Sequence, residues 1–248
     1  MKKYLQIVNI RTFQVLLICF VVSFLVLYFQ IKYNFDLTVI SIAIIFPLVF
    51  TIRAAFRRRE KALEHLSRFK ASLMIVYYSF QRAKKLEDAK KVIITTTLGN
   101  ISESLINFLT HQDKNQTSLR NNLTAVFQFI QDHKEEIGTG DAMKIFRFMK
   151  DVHTTVENVL AIDLHRTPIS LRAYCQVFIY IFPIIYTPAL LHRLDDHSPS
   201  WVVYSLSMIT GFILISLFNV QDQMEHPFDQ QGLDDIRVSE FKFNPENK

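Results

Sequence analysis

The residues of this chain that could do chemistry are its eight histidines, its carboxylates and its two cysteines. His153 and Glu157 stand one helical turn apart, and Asp163-Leu164-His165 sets an acid two positions from an imidazole. Glu60 with Glu64, or Asp151 with Glu157, would bring two carboxylates together on a helix. Such pairs can ligate metals or exchange protons in acid–base catalysis. Here they lack the company that chemistry requires: the sequence has no HExxH, no closely spaced cysteines and no Gly-rich phosphate loop. Solvated helix faces explain all of them better. Cys19 and Cys175 lie far apart inside apolar runs and read as small buried hydrophobes, not as a redox pair, a metal site or a disulfide. The chain is therefore not read as an enzyme, and no metal or cofactor is expected.

What must position the remaining residues is set by composition. Half of the 248 residues are hydrophobic, 22 are Phe and only five are Gly, more apolar material than one soluble domain usually needs. The formal charge of +5 raises a nucleic-acid partner, but that would require a basic face interleaved with aromatic residues. The basic residues sit beside apolar runs instead, so no nucleic-acid partner is expected.

Residues 13–31 form an uncharged run of about 19, close to the ~20 that a helix needs to cross the bilayer core. A secretory signal is the rival reading because Lys2 and Lys3 precede it, yet the run ends in Tyr33-Asn34-Phe35 without a small-residue cleavage pattern. Residues 37–52 give a shorter uncharged run that stops at Arg53. Residues 173–191 and 201–220 supply two more, joined by a polar turn at 192–200 with Arg193, Asp195, Asp196 and Pro199. Lys32 and Arg193 lie in the two short connections. Lys2, Lys3, Arg11, Arg53 and the Arg57-Arg58-Arg59 run flank the other ends. The positive-inside bias then puts both termini and the central region in the cytoplasm of a multi-pass cell-membrane protein. Tyr28, Tyr33 and Trp201 at span ends fit interfacial anchoring. The expected division is 1–53 with spans one and two, a helical cytoplasmic region at 54–172, spans three and four at 173–220, and a cytoplasmic tail at 221–248.

Within the central region, Leu63, Leu66, Phe69 and Leu73 recur at spacings of three and four with no Pro or Gly between them and span two. Span two should therefore continue as one long amphipathic helix. Further helices are predicted over 86–111, 118–136 and 141–163, with Thr139 or Asp141 as a cap after Gly138.

The run Ser41-Ile42-Ala43-Ile44-Ile45-Phe46-Pro47-Leu48-Val49-Phe50, continuing to Arg58, resembles the pore helix of the bestrophins, a family of pentameric ion channels. Ile42, Phe46 and Phe50 match its three bulky apolar neck positions, and Arg58 its following basic position. The stretch Gln223-Met224-Glu225-His226-Pro227-Phe228 and the later Asp234-Asp235-Ile236 look like the family's Pro-Phe motif and acidic tail, and Thr167-Pro168-Ile169 looks like its approach to the third span. Arg59-Glu60 replaces a common tryptophan pair, His226 stands where animal members have a calcium-holding Asn, and the acidic run is thinned. The resemblance thus implies a prokaryote-like, calcium-independent member: an all-α membrane protein of four spans and a cytoplasmic helical region, assembled as a homopentamer.

On a helix, Ile42, Phe46 and Phe50 share one stripe about 12 Å long. The stripe is either ordinary packing or, with several copies around an axis, three stacked apolar rings forming a pore neck. Pro47 within it predicts a kink and a freed carbonyl at Ala43. Arg53 and Arg57 follow on the same face, either anchoring the helix among lipid headgroups or concentrating anions at the pore mouth. Chloride is the favoured ion. A cation-selective channel of the same fold, and a non-conducting membrane-anchored scaffold or sensor, remain the alternatives.

Overall fold

The computed structural model of the chain describes residues 7–110, 115–166, 168–194, 198–230, 232 and 234–245. Readings that involve Lys2, Lys3, His111, Thr167, Asp195, Asp196, Gln231 or Leu233 fall outside them.

The described residues are all-helical, as expected. The helices are α1 (Ile10–Phe29), α2 (Leu37–Arg82), α3 (Asp88–Leu109), α4 (Gln116–Asp132), the one-turn α5 (Lys134–Ile137), α6 (Thr139–Leu164), α7 (Ile169–Arg193) and α8 (Ser200–Met224). A 3-10 turn at Val238–Phe241 lies in the tail. Asp36 starts α2 by accepting the Thr38 N–H at 2.8 Å. Bonds from the Thr38 side chain and N–H hold its carboxyl below the usual range. With no Gly and only Pro47 to interrupt it, α2 runs unbroken for 46 residues, roughly 69 Å at the α-helical rise. The predicted continuation of span two into the central region is therefore present.

The chain divides into two compact units, Met1–Arg57, Arg166–Glu225 and Gly232–Asp234 against Arg58–His165, His226–Gln231 and Asp235–Lys248. In the first, α1, α7, α8 and the start of α2 enclose a core of Val15, Cys19, Ile44, Leu48, Cys175, Ile179, Phe182, Leu214, Ile215 and Phe218. Asn9 caps α1 in a reciprocal box with Thr12. The outward faces are apolar too: Phe13, Leu17 and Phe24 on α1, Ile184 on α7 and Ile213 on α8 are all exposed. So large an apolar surface suits hydrocarbon and would be a liability in water.

In the second unit each helix buries one stripe at three- and four-residue spacing. These are Ala62, Leu66, Phe69, Leu73, Val76 and Phe80 on α2; Ile94, Leu98, Ile101 and Leu105 on α3; Leu119, Leu123, Val126 and Ile130 on α4; and Ala142, Ile145, Met149, Val152 and Val156 on α6. Leu63 packs at the edge of this core. One local expectation is corrected. Neither Thr139 nor Asp141 caps α6; Gly138 holds the cap position with φ at +92° and no side-chain bond, and Asp141 pairs with Lys144 at 3.0 Å. The residue at the cap position is a glycine with no side chain to accept from the first turn, and its positive φ is one that other residues rarely adopt.

Among the described residues, stretches apolar enough by length and composition to cross a bilayer lie in α1, α2, α3, the region of α6 and α7, and α8. α3 is among them because its Val92, Ile93, Ile94, Leu98 and Ile101 outweigh its few charges.

At the crossing of α8 and α1 a Cβ placed on Gly211 would come 2.5 Å from Cys19 Sγ and 3.4 Å from Val15 Cγ1. We expect Gly211→Ala to destabilise the first unit by about 1–3 kcal/mol through overpacking. A lowered thermal midpoint in detergent, largely recovered by adding Cys19→Ala, is the expected result.

Candidate functional site

The two faces of α2 within the first unit differ sharply. Ile44, Leu48, Thr51 and Ala55 are at most 2% exposed, whereas Ile42, Phe46 and Phe50 are 50%, 56% and 57% exposed. At about 100° per residue the buried four fall within about 60° of one another, nearly opposite a stripe of Ile42, Phe46, Phe50, Arg53 and Arg57 that spans about 80°. The rings of Phe46 and Phe50 lie 6.1 Å apart. The predicted apolar stripe is therefore not packed into the chain's own core. Arg53 and Arg57 are exposed on the same side, so the helix presents an apolar segment followed by cations.

Arg58 behaves differently. Its Nε and Nη2 donate to the Ile162 carbonyl at 3.3 and 3.1 Å, in the last turn of α6. There a cation meets both the unsatisfied carbonyls and the negative end of the helix dipole. Within the second unit Arg58 acts as a brace.

Pro47 has no N–H to offer the Ala43 carbonyl. That carbonyl is met by α7, where the Tyr174 hydroxyl donates to it at 3.3 Å. Between α1 and α2 the Tyr33 hydroxyl similarly donates to the Ile185 carbonyl at 2.8 Å, and burial pushes its pKa up. Tyr28 and Trp201 are exposed at helix ends.

A polar cluster unforeseen from the sequence gathers at the ends of α1, α7 and α8. Arg11 Nη1 donates to Asp222 Oδ2 at 2.9 Å, Arg172 bonds the other Asp222 oxygen, and Arg172 Nη1 lies 3.7 Å from Glu225 Oε2. Gln221 donates to Glu225 Oε1, and the Arg11 guanidinium rests over the Phe218 ring. Beside them Asn219, 1% exposed, donates to the Ile7 carbonyl, Asn9 Oδ1 and Thr12 Oγ1 at 2.8, 3.2 and 3.0 Å. Two cations and two carboxylates neutralise one another where full hydration is absent. Arg11, Arg172, Asp222 and Glu225 each lie within about two turns of the end of one of the uncharged runs. Opposite charges at those ends were the available signal.

The tail motif divides between the units. Glu225 is buried in the first by the contacts just described. In the second, Phe228 joins Ile236, Val238 and Phe243 in the core, and the buried Pro227 accepts the Ile236 N–H through its carbonyl at 2.8 Å. Gln230 donates to the Ile236 carbonyl at 2.7 Å, with its own φ at +61°. Ser102 accepts the Phe243 N–H at 2.8 Å. Asp234 is exposed and Asp235 half-buried. The catalytic-looking pairs are surface braces: Glu157 meets Arg120 at 3.0 Å and His153 at 3.9 Å, and Glu64 meets Arg68 at 3.3 Å.

Solved structures with this arrangement exist at low sequence identity. A bacterial bestrophin homologue from Klebsiella pneumoniae matches with a TM-score of 0.76 at 14% identity, covering 93% of each chain. A mutated form of it gives 0.76 and 14%, over 93% of this chain and 94% of that one. A structure described only as a membrane protein gives 0.77 and 14%, over 94% and 95%. No family model matches the sequence and no curated protein does. What is shared is an all-helical fold over nearly the whole of both chains. That fold is the bestrophin fold, as the resemblance of the sequence implied.

The polar cluster makes a prediction of its own. Arg172 serves both carboxylates and Arg11 only one, so Arg172→Ala should lower the thermal midpoint more than Arg11→Ala. The loss should fall between the ~0.2–1 kcal/mol of an exposed pair and the ~3–5 kcal/mol of a buried one. Adding Glu225→Gln to Arg172→Ala should restore part of it by removing the buried charge left without its partner.

Proposed function

We propose that this chain is the subunit of a homo-oligomeric ion channel, a pentamer, in which α2 lines the pore. The observation that carries the reading is the pair of opposed faces on α2: one packs into the first unit, and the other holds Ile42, Phe46 and Phe50 outside any core of the chain. Copies arranged about an axis turn those three residues into stacked apolar rings, a neck that gates by dewetting. The bestrophin fold supports the reading, because the solved proteins that share it at low identity are bestrophin homologues.

The membrane topology proposed is four spans, α1, the first part of α2, α7 and α8, in the cell membrane with both termini cytoplasmic. The cations near residues 11, 53 and 57–59 favour that orientation. α3 is left out of the proposed spans; the stripe of Ile94, Leu98, Ile101 and Leu105 in a core with α4 and α6, and the bonds from Lys90 to both Glu136 oxygens at 2.6 and 2.8 Å, support that choice. The acidic tail is a folding element, with Pro227 and Phe228 tying it down, and no metal is assigned to Glu225, Asp234 or Asp235.

Selectivity follows from Arg53 and Arg57. Repeated around an axis, their guanidinium groups raise the local concentration of anions and repel cations at the pore mouth, so chloride is the proposed ion. The test is flux from liposomes carrying purified protein, driven by chloride or by sodium gradients. Wild type should pass chloride, and replacing Ile42, Phe46 and Phe50 together by Ala should widen the neck and raise the flux. Sodium flux without chloride flux would replace the anion reading with a cation channel. Silence of both well-assembled proteins would leave a membrane-anchored scaffold.

A further inference from the structure

We propose that Tyr174 is a positioning residue for the neck: its hydroxyl stands in for the amide proton that Pro47 lacks, and so sets the bend of α2 between Ile42 and Phe46. The proposal rests on the reading of α2 as the pore helix.

A proline at position 47 withdraws the partner of the carbonyl at position 43 and crowds it. At bilayer depth a carbonyl cannot turn to bulk water, so the helix must find a donor from elsewhere. The donor is on α7, whose Tyr174 hydroxyl reaches the Ala43 oxygen at 3.3 Å. The phenol is aimed by its own helix: the Tyr174 and Phe178 rings lie 4.3 Å apart, one turn along α7. One turn further Phe182 is buried in the core, as are Cys175 and Ile179 beside them. These residues share the first unit's core with the buried Ile44 and Leu48 of α2, which brings the hydroxyl to the Ala43 carbonyl.

Ala43 follows Ile42 directly and Phe46 precedes Pro47. The carbonyl that Pro47 leaves without an intrahelical donor thus lies between the first two apolar positions of the neck, where a small change of bend would move Ile42 relative to Phe46 and Phe50. A tyrosine bonded there favours one bend; without the bond the helix samples others. The expected role is to set the balance between narrow and wide necks through the bend of α2.

The test is a double-mutant cycle of Tyr174→Phe and Pro47→Ala, read by thermal midpoint and by single-channel open probability in planar bilayers. Pro47→Ala restores an N–H at position 47, which bonds the Ala43 carbonyl and makes the hydroxyl redundant. Tyr174→Phe should therefore lower the midpoint and change the open–closed ratio by about 3- to 10-fold in the wild-type background, the range of one intramembrane hydrogen bond. In the Pro47→Ala background it should change neither. Pro47→Leu serves in the same way if the alanine variant assembles poorly. Equal effects in both backgrounds, or none in either, would overturn the proposal while leaving a conducting wild type as a channel. A non-additive midpoint with an unaltered open–closed ratio would overturn the positioning role. Failure of wild type to conduct would remove the channel reading and this role with it.

Discussion

In the first unit, polar groups at membrane depth cannot rely on water, and the way they find partners decides which surfaces remain free. An unsatisfied backbone group in hydrocarbon costs several kcal/mol. The carbonyl freed by Pro47 takes Tyr174, Asn219 ties α8 to the cap of α1, and the charges at the ends of α1, α7 and α8 neutralise one another. Thr187 and Ser207 hydroxyls pair between α7 and α8 at 3.0 Å. Each of these contacts consumes an inward face. Once they are made, the side of α2 with Ile42, Phe46 and Phe50 is left half-exposed, outside the cores formed by the described residues.

That leftover face is informative because its neighbours along α2 are not left over. The helix runs on without a break, and a few turns later its buried stripe belongs to the second unit's core, from Ala62 to Phe80. One helix thus has two packing assignments, and in the first unit an apolar stripe followed by arginines stays outside. A stripe of three bulky residues followed by cations on the same side fits a narrow passage with a charged mouth.

Much of this was legible in the sequence, and the reasons separate by range. Uncharged runs and three-four periodicity are local, so the helices, the continuity of α2 and the stripe of Ile42, Phe46 and Phe50 could be read directly, while whether that stripe is packed or exposed could not. Pro47 announced its own consequence at Ala43 because both lie in one turn. The donor could not be read, since Tyr174 is 131 positions away and looks like one more aromatic in an apolar run. The same holds for Arg11 with Asp222, separated by 211 positions, and for Asn219. Periodicity says which face of a helix is buried and nothing about which distant helix covers it. The α6 cap was misread for a different reason: Thr and Asp after a glycine suit a cap, but the positive φ of Gly138 takes that position first. The tail motif was recognisable by type, while its division into a buried Glu225 and a core Phe228 depends on packing.

The central claim is that one side of α2 meets water inside the membrane while the other does not. Its most direct test is a cysteine scan of residues 42–57 in reconstituted vesicles, with the buried Cys19 and Cys175 replaced by Ala and a charged, water-soluble thiol reagent as probe. The reagent attacks the thiolate, which forms only where water reaches the sulfur. The account predicts modification at positions 42, 46, 50, 53 and 57 and protection at 44, 48, 51 and 55. Modification at 53 and 57 alone, with 42, 46 and 50 as inert as the buried positions, would place the stripe in lipid or in a dry interface and contradict the account.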